Sequence, residues 1–535
     1  MKTATFVFTL IFLIGLAQAA NINEYPSGKT GNQAQTINLN ELIDPFSGEI
    51  SSADLNQTSN RSWVYDGTIY ETHPYYYPNH SFKEITEQIP SLADLGVKTI
   101  YLMPIWEQPP GDENYTSIYH TYDYYKINPV YGTPQDLKEL INTAHENNMK
   151  VLFDLVTCCT WNGNVIWTKN GTFSLLISEL QQKATELGWT LQQSIVNGDI
   201  YLYSNCSIKN RKTVCDFAGK IVDDRVILLQ YPQVGSGFAI DRTNPDIINY
   251  FTDVATYYVT NYDIDGWRVD VPTDNWNPDV ISGNHSSQEL LRKIKNEITR
   301  VKPDAILISE WPTVDKIKPS ELPISTELDE EAEASYSYYF YYHLGETVRG
   351  KKLYDIIGNE NISFNRTRIR FSESHDTFQR MNKIVPRLNK PLTVLISTVP
   401  GIPMVQAGQE IGATEEFFIN PQVDWINGDY ELRNFYKKVF DIRNNNTALK
   451  YGSMKNVWNS SNNIYTYLRS YNNESAIIIV SFVDTEAVST FDVSFLNTGT
   501  ILYDALNEEQ FIINDPKTLN ISVPPFGSRI LILKK

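Results

Sequence analysis

The sequence predicts an α/β fold: a (β/α)8 TIM barrel with a B subdomain inserted after the third strand and a C-terminal antiparallel β-sandwich. Three observations carry that prediction. Short β-branched or aromatic runs alternate with longer amphipathic stretches from about Trp63 onward, the rhythm of βαβ units and a parallel sheet. Eight such strands can be placed, the number that closes a barrel. From about Tyr451 the rhythm changes to short alternating strands such as Ile464–Leu468, Ala476–Phe482 and Arg529–Leu533, which reads as a separate sandwich.

Taken in order, Met1, Lys2, an apolar run from Ala4 to Leu16 and the small residues Ala17 to Ala20 form a secretory leader, 1–20. Residues 21–62 are polar and turn-rich and read as an extension without an assigned role. The barrel, 63–450, opens with strands at Thr68–Glu71, Lys98–Met103 and Lys150–Leu155. Helices at Phe82–Leu95, ended by Gly96, and Pro134–Asn147, opened by proline, separate them. The alternation then breaks between 156 and 237, the expected insert on the third βα loop, and resumes at Ile264–Val269 and Ala305–Ser309. Strands at Ser335–Tyr339, Arg368–Phe371 and Ile402–Val405 complete the eight, and the β domain occupies 451–535.

Composition narrows the partners. A net charge of -18 opposes binding to nucleic acid or anionic lipid, and beyond the leader no apolar stretch approaches membrane-spanning length. A neutral substrate, no membrane and a monomeric, secreted or secretory-lumenal protein are therefore expected. Asn-x-Ser/Thr triplets such as those at Asn56, Asn79 and Asn520 suit a glycosylated surface. The four cysteines, 158, 159, 206 and 215, allow three pairings; Cys206 with Cys215 would close a small loop. Among only seven histidines no zinc-ligand spacing occurs.

Barrel chemistry is built at the C-terminal strand ends, and two acidic residues stand at successive ends. Asp270 closes the fourth strand and Glu310 follows the fifth. Retaining glycoside cleavage needs such a pair, one carboxylate to attack the anomeric carbon and one acid to protonate the departing oxygen, about 5 to 5.5 Å apart. Arg268 lies two residues before Asp270, on the same strand face, where its cation is expected to keep Asp270 ionised. His375 and Asp376, after the seventh strand, are placed to hold sugar hydroxyls. Singly, each acid reads more readily as a helix cap or a surface charge; the constellation is what points to chemistry.

These segments resemble the α-amylase family, glycoside hydrolase family 13. The similar stretches are Leu95-Gly-Val-Lys-Thr-Ile-Tyr-Leu-Met-Pro-Ile105, Asp123-Tyr-Tyr-Lys-Ile-Asn-Pro-Val-Tyr-Gly-Thr133 and Lys150-Val-Leu-Phe-Asp-Leu-Val156, followed by Asp265-Gly-Trp-Arg-Val-Asp270 and Ile306-Leu-Ile-Ser-Glu-Trp311. Phe371-Ser-Glu-Ser-His-Asp376 and Gly401-Ile-Pro-Met-Val-Gln-Ala-Gly-Gln-Glu-Ile-Gly412 complete them. The resemblance implies Asp270 as nucleophile, Glu310 as acid/base and Asp376 as transition-state stabiliser. It likewise implies Arg268 and His375 as their supports, Tyr119 as the platform under the sugar and Asp154 as the buried barrel aspartate.

No cofactor is implied beyond a structural calcium, and its usual ligands are replaced. Cys158-Cys159 stands where the family carries Asn-His, and Ala239 where it carries an aspartate. Thiols do not supply the hard oxygens calcium requires, so disulfides are expected to order the insert instead. Ser374 also replaces a common asparagine. The expected activity is secreted hydrolysis of α-1,4-glucosidic bonds in starch, glycogen or maltooligosaccharides. The alternatives are an α-glucosidase or transglycosylase on short α-glucosides and, from another class, a non-catalytic glycan-binding barrel. The last would be marked by loss of a catalytic carboxylate, and none is lost.

Overall fold

The structure is a computed structural model. It describes residues 61–533 apart from 109–117, 161–173, 229–237, 271–287, 311–331, most of 350–366, 458–462 and isolated positions, chiefly between 158 and 243. The leader, most of the extension, and Cys158, Cys206 and Cys215 lie outside the described residues.

Eight parallel strands close into a barrel. In chain order they are β1 (Thr68–Thr72), β2 (Val97–Leu102), β3 (Lys150–Val156), β4 (Gly266–Asp270), β5 (Ile306–Ser309), β6 (Ala334–Tyr336), β7 (Thr367–Arg370) and β8 (Ile402–Gln406). Nearly every strand position is buried, because side chains alternate between the barrel interior and the surrounding helices. That is why these strands read as unbroken apolar runs. The first helix, Phe82–Leu95, is opened by a reciprocal cap between Ser81 and Glu84 and ended by Gly96 at φ 97°. The helix Pro134–Glu146 starts the same way, with Thr133 and Asp136 exchanging hydrogen bonds and proline in the first turn.

Gly266 sits at φ 151°, and a Cβ there would lie 2.2 Å from the carbonyl oxygen of Ile306. Any side chain would push β4 away from β5, and these two strands carry the acidic pair.

The sixth strand departs from the expected Ser335–Tyr339. It ends at Tyr336, and Ser337 caps a helix over Tyr338–Val348 by accepting from the Phe340 N–H at 3.3 Å. An aromatic run suits a strand by composition, yet the serine cap and the packing of the ring face decide for helix.

Within the insert, a five-stranded antiparallel sheet runs in the order Ser174–Leu176, Arg225–Leu228, Phe217–Val222, Asp199–Ser204 and Leu191–Val196. A helix at Ile177–Glu186 packs on it through Leu180 against Val226. At its base Cys159 and Ala239 are direct partners in a short antiparallel bridge.

The C-terminal part holds a six-stranded antiparallel sheet and a two-stranded one, Ala487–Phe491 with Leu519–Val523. Ile477, Ile479 and Leu531 of the large sheet pack with Phe491, Ile521 and Val523 of the small one. Their strand neighbours Ile478, Val480 and Ile530 belong instead to the barrel's apolar core. The centre of the large sheet is thus buried on both faces, which explains the continuous apolar run Ala476–Val480 in its strand Glu474–Ser481. Tyr467 and Thr398 share a hydrogen bond of 2.6 Å across this junction, and Tyr465 donates to the Thr347 carbonyl at 2.7 Å.

Candidate active site

Asp270 and Glu310 leave adjacent strands at one height. Register pairs Val269 with Ser309, and the Glu310 N–H donates to the Val269 carbonyl at 3.1 Å. A single guanidinium then joins the two side chains. Arg268 Nη1 lies 2.6 Å from Asp270 Oδ1 and Nη2 lies 3.2 Å from Glu310 Oε2. From below, Asp154 accepts from the same Nη1 at 2.9 Å, and the rings of Tyr101 and Tyr336 face the guanidinium at 5.8 and 5.4 Å.

Asp154 and Arg268 are sealed in the barrel, whereas the carboxylates of Asp270 and Glu310 reach its rim. Burial disfavours the Arg268 charge, but Asp154 and Glu310 outweigh it and hold this cation well above its ordinary pKa. Asp154, without solvent access, positions Arg268 and Tyr119 from beneath.

Arg268 acts on Asp270 in the direction expected from the sequence, favouring the ionised form, but burial is the larger effect and the net pKa lies above the ordinary aspartate value. Burial raises it, the Arg268 contact opposes, and the negative charges of Asp154 and Asp376 add to burial. Activity that needs ionised Asp270 should therefore fall off, as pH is lowered, at a higher pH than an exposed aspartate would impose. A pH–rate profile of kcat/KM checks this; an acidic limb at or below the ordinary aspartate range would contradict it.

His375 and Asp376 sit in a short turn of 3-10 helix after β7. Glu71, at the end of β1, grips this turn twice. Its Oε1 accepts from the His375 N–H at 2.8 Å, and its Oε2 forms an ion pair of 3.1 Å with Nδ1. Nε2 of His375 meets the Tyr119 hydroxyl at 2.7 Å and Asp376 at 3.3 Å. The Tyr119 ring stacks on the imidazole at 5.6 Å, and its hydroxyl donates to Asp154 at 3.1 Å. A donor chain from His375 through Tyr119 to Asp154 thus links β7 to β3. Burial lowers the His375 pKa, but Asp376 and Glu71 overcome it and lift the value to about 9, so the ring is charged at neutral pH.

Linkage gives this a sign. A histidine raised from 6.5 to about 9 adds stability that is complete below pH 6.5 and is lost as pH rises through about 9. In Glu71→Gln the alkaline fall in melting temperature should begin at lower pH. Identical alkaline profiles for the two proteins would contradict that.

All seven residues singled out from the sequence thus come together at one end of the barrel, Asp154 and Arg268 beneath the rim and the others at it, connected directly or through Arg268 and His375. Glu71, Tyr101, Tyr336 and Tyr338 were missed. Glu71 stands at the end of a barrel strand, the same signal that marked Asp270. Tyr338 was hidden inside an expected strand.

The residues at the family's calcium positions do not fit that ion. Ala239, at one of them, offers no side-chain oxygen, and Cys158, at the other, is a thiol that lies outside the described residues. Among the described residues no group of three or more His, Cys, Asp or Glu side chains gathers as a metal site.

A closed parallel barrel with three carboxyl groups at its C-terminal rim, two of them on one buried arginine, defines a barrel enzyme of the glycosidase type. The alpha-amylase catalytic-domain model matches residues 60–172 and 238–428, more than half of the chain, and the protein belongs to the α-amylase family of glycoside hydrolases. The unmatched interval between those ranges falls within the insert.

Similar proteins include a cyclomaltodextrinase of Thermoanaerobacter pseudethanolicus, 26% identical over 74% of this chain and 62% of its own length. A maltogenic alpha-amylase of Bacillus acidopullulyticus is 25% identical over 83% of this chain and 69% of its own. The chain thus spans under two thirds of the first of these relatives. Among solved structures, a noncanonic maltogenic alpha-amylase from Thermotoga neapolitana superposes with a TM-score of 0.64 at 20% identity, covering 88% of this chain and all of the other. An alpha-amylase from Geobacillus thermoleovorans complexed with acarbose gives 0.66 at 19%, covering 88% and 99%. At those identities the structural likeness concerns the fold.

Proposed function

We propose that this protein hydrolyses α-1,4-glucosidic bonds in starch, glycogen or maltooligosaccharides with retention of configuration. The observation that carries the reading is the Arg268 guanidinium bound to both Asp270 and Glu310 on neighbouring strand ends. Ionised Asp270 attacks the anomeric carbon while protonated Glu310 gives its proton to the departing glycosidic oxygen. The bond to that oxygen breaks and a glycosyl ester forms on Asp270. Water enters, Glu310 takes its proton, and the resulting hydroxide equivalent displaces Asp270 from the same face as the original leaving group. Asp376, whose side chain is more open than the other two, is placed to take hydrogen bonds from sugar hydroxyls as the ring flattens.

The names of the relatives, a cyclomaltodextrinase and a maltogenic amylase, favour short or cyclic maltooligosaccharides over long polymer. Incubation with soluble starch, a cyclic maltodextrin and maltotriose, followed by proton NMR of fresh products, tests both points. Retention predicts that the α-anomer appears first; initial β-anomer would sink the mechanism. Mixed oligosaccharides indicate internal cleavage, glucose alone an α-glucosidase, and longer products a transglycosylase.

We also propose that the protein is secreted, glycosylated, monomeric and closed by a disulfide between Cys206 and Cys215. The leader and the acceptor triplets support the first two. Ser207 pairs with Val214, so these inner neighbours face one another across a hairpin. Expression in a secretory eukaryotic host should yield a chain that begins after residue 19 or 20, shrinks with an N-glycosidase and sediments as a monomer. Retention of Met1 in the purified protein would rule out the leader.

A further inference from the structure

We propose that Tyr338 is a positioning residue for the reaction: its hydroxyl bridges Glu310 and Asp376 and aims the Glu310 carboxyl at the leaving-group oxygen. The inference rests on the assignment of Glu310 as acid/base. Tyr338 Oη lies 3.1 Å from Asp376 Oδ2 and 3.4 Å from Glu310 Oε1, so one side chain touches carboxylates from two different strand ends. A phenol has one proton to give, and the shorter contact places it on Asp376. When Glu310 surrenders its proton to the sugar and becomes anionic, the same proton can swing to Glu310 through a rotation about the C–O bond, with no movement of the ring. The hydroxyl thereby serves the site in both charge states.

The ring is held for this task. Tyr338 is the first residue of its helix, set by the Ser337 cap, and Arg370 Nη1 donates to the same serine oxygen at 2.9 Å. Its ring meets Tyr342 in a stack at 6.0 Å, Phe371 edge-on at 5.5 Å and Tyr336 at 6.0 Å. Burial and the neighbouring Asp376 and Glu310 charges raise its pKa well above the ordinary tyrosine value, so the phenol keeps its proton across the working range. A side chain with only a packing role would not need its polar tip here, within hydrogen-bond reach of two carboxyl groups at the rim.

The test compares substrates that differ in their need for an acid. Tyr338→Phe removes one oxygen and keeps the ring contacts, so the fold is preserved. With an unactivated maltooligosaccharide, misaligned proton transfer should lower kcat by roughly 10- to 100-fold with KM nearly unchanged. With α-maltosyl fluoride, whose leaving group needs little protonation, the loss should stay within about threefold. Equal losses on both substrates, no loss on either, or a rise in KM alone would overturn the role of Tyr338. Glu310→Gln, run beside it, tests the underlying assignment: it should be nearly inactive on the oligosaccharide and partly active on the fluoride. If Glu310→Gln cleaves the oligosaccharide normally, the acid/base reading fails; if only Tyr338→Phe behaves unexpectedly, the inference fails alone.

Discussion

Replacing Asp270 by asparagine should abolish turnover while leaving the protein at least as stable as before. Loss of a covalent nucleophile lowers kcat by on the order of 10⁴-fold or more, because the remaining groups cannot supply the missing bond. Stability should move the other way. The Asp270 carboxyl is held above its ordinary pKa by burial and by the charges of Asp154 and Asp376. A carboxyl raised in the fold is a charge the native state disfavours: stability falls as pH rises through the unfolded value toward the folded one, and above the folded value the whole penalty applies. Asparagine removes it, and Arg268 keeps Asp154 as a counter-charge and Glu310 as a contact. Melting temperature and turnover measured on the same preparation check both halves. A variant that keeps substantial activity would remove Asp270 from the mechanism, and a large drop in melting temperature would refute the electrostatic account.

The opposite pattern is expected at Arg268. Arg268→Leu would leave Asp154, Asp270 and Glu310 facing one another without their cation, in a barrel where Arg268 and Asp154 are shut off from solvent. Breaking a buried ion network from one side costs about 3 to 5 kcal/mol, since the stranded charges must stay buried or take up protons. The loss should shrink as pH falls and those carboxyls become neutral, so denaturant curves at neutral and mildly acidic pH should converge. A pH-independent loss would mean that packing under the Tyr101 and Tyr336 rings dominates instead. Arg268→Lys should recover only part of the effect, because an ammonium cannot span Asp270 and Glu310 as the planar guanidinium does.

These two expectations start from residues that were legible before any coordinates. Asp270 and Glu310 stood out because strand ends can be placed to within two residues, and a barrel puts its chemistry there. The capped helix Phe82–Leu95 was equally readable, since Ser81, Glu84 and Gly96 are local signals acting over one turn. Tyr338 was not readable. The run Ser335 to Tyr339 is aromatic enough for a strand, and only the hydrogen bond from the Phe340 N–H to Ser337, with the edge-on contact of Tyr338 with Phe371, turns it into a helix start. The net direction of the Asp270 shift was out of reach for a related reason. Adjacency to Arg268 is visible along the chain, whereas burial and the approach of Asp154 from β3 and Asp376 from β7 are not.

What the sequence by itself determined, then, is whatever depends on neighbours a few residues apart: strand and helix periodicity, caps, and the order in which acidic residues reach the barrel rim. Tertiary structure alone decided which of those residues share a proton or a charge. Glu71 lies 304 positions from His375 along the chain yet holds it at hydrogen-bond distance, and Arg268 reaches Asp154 across 114. Electrostatic energy depends on separation in space and on exclusion of water, and both are set by barrel closure rather than by position along the chain.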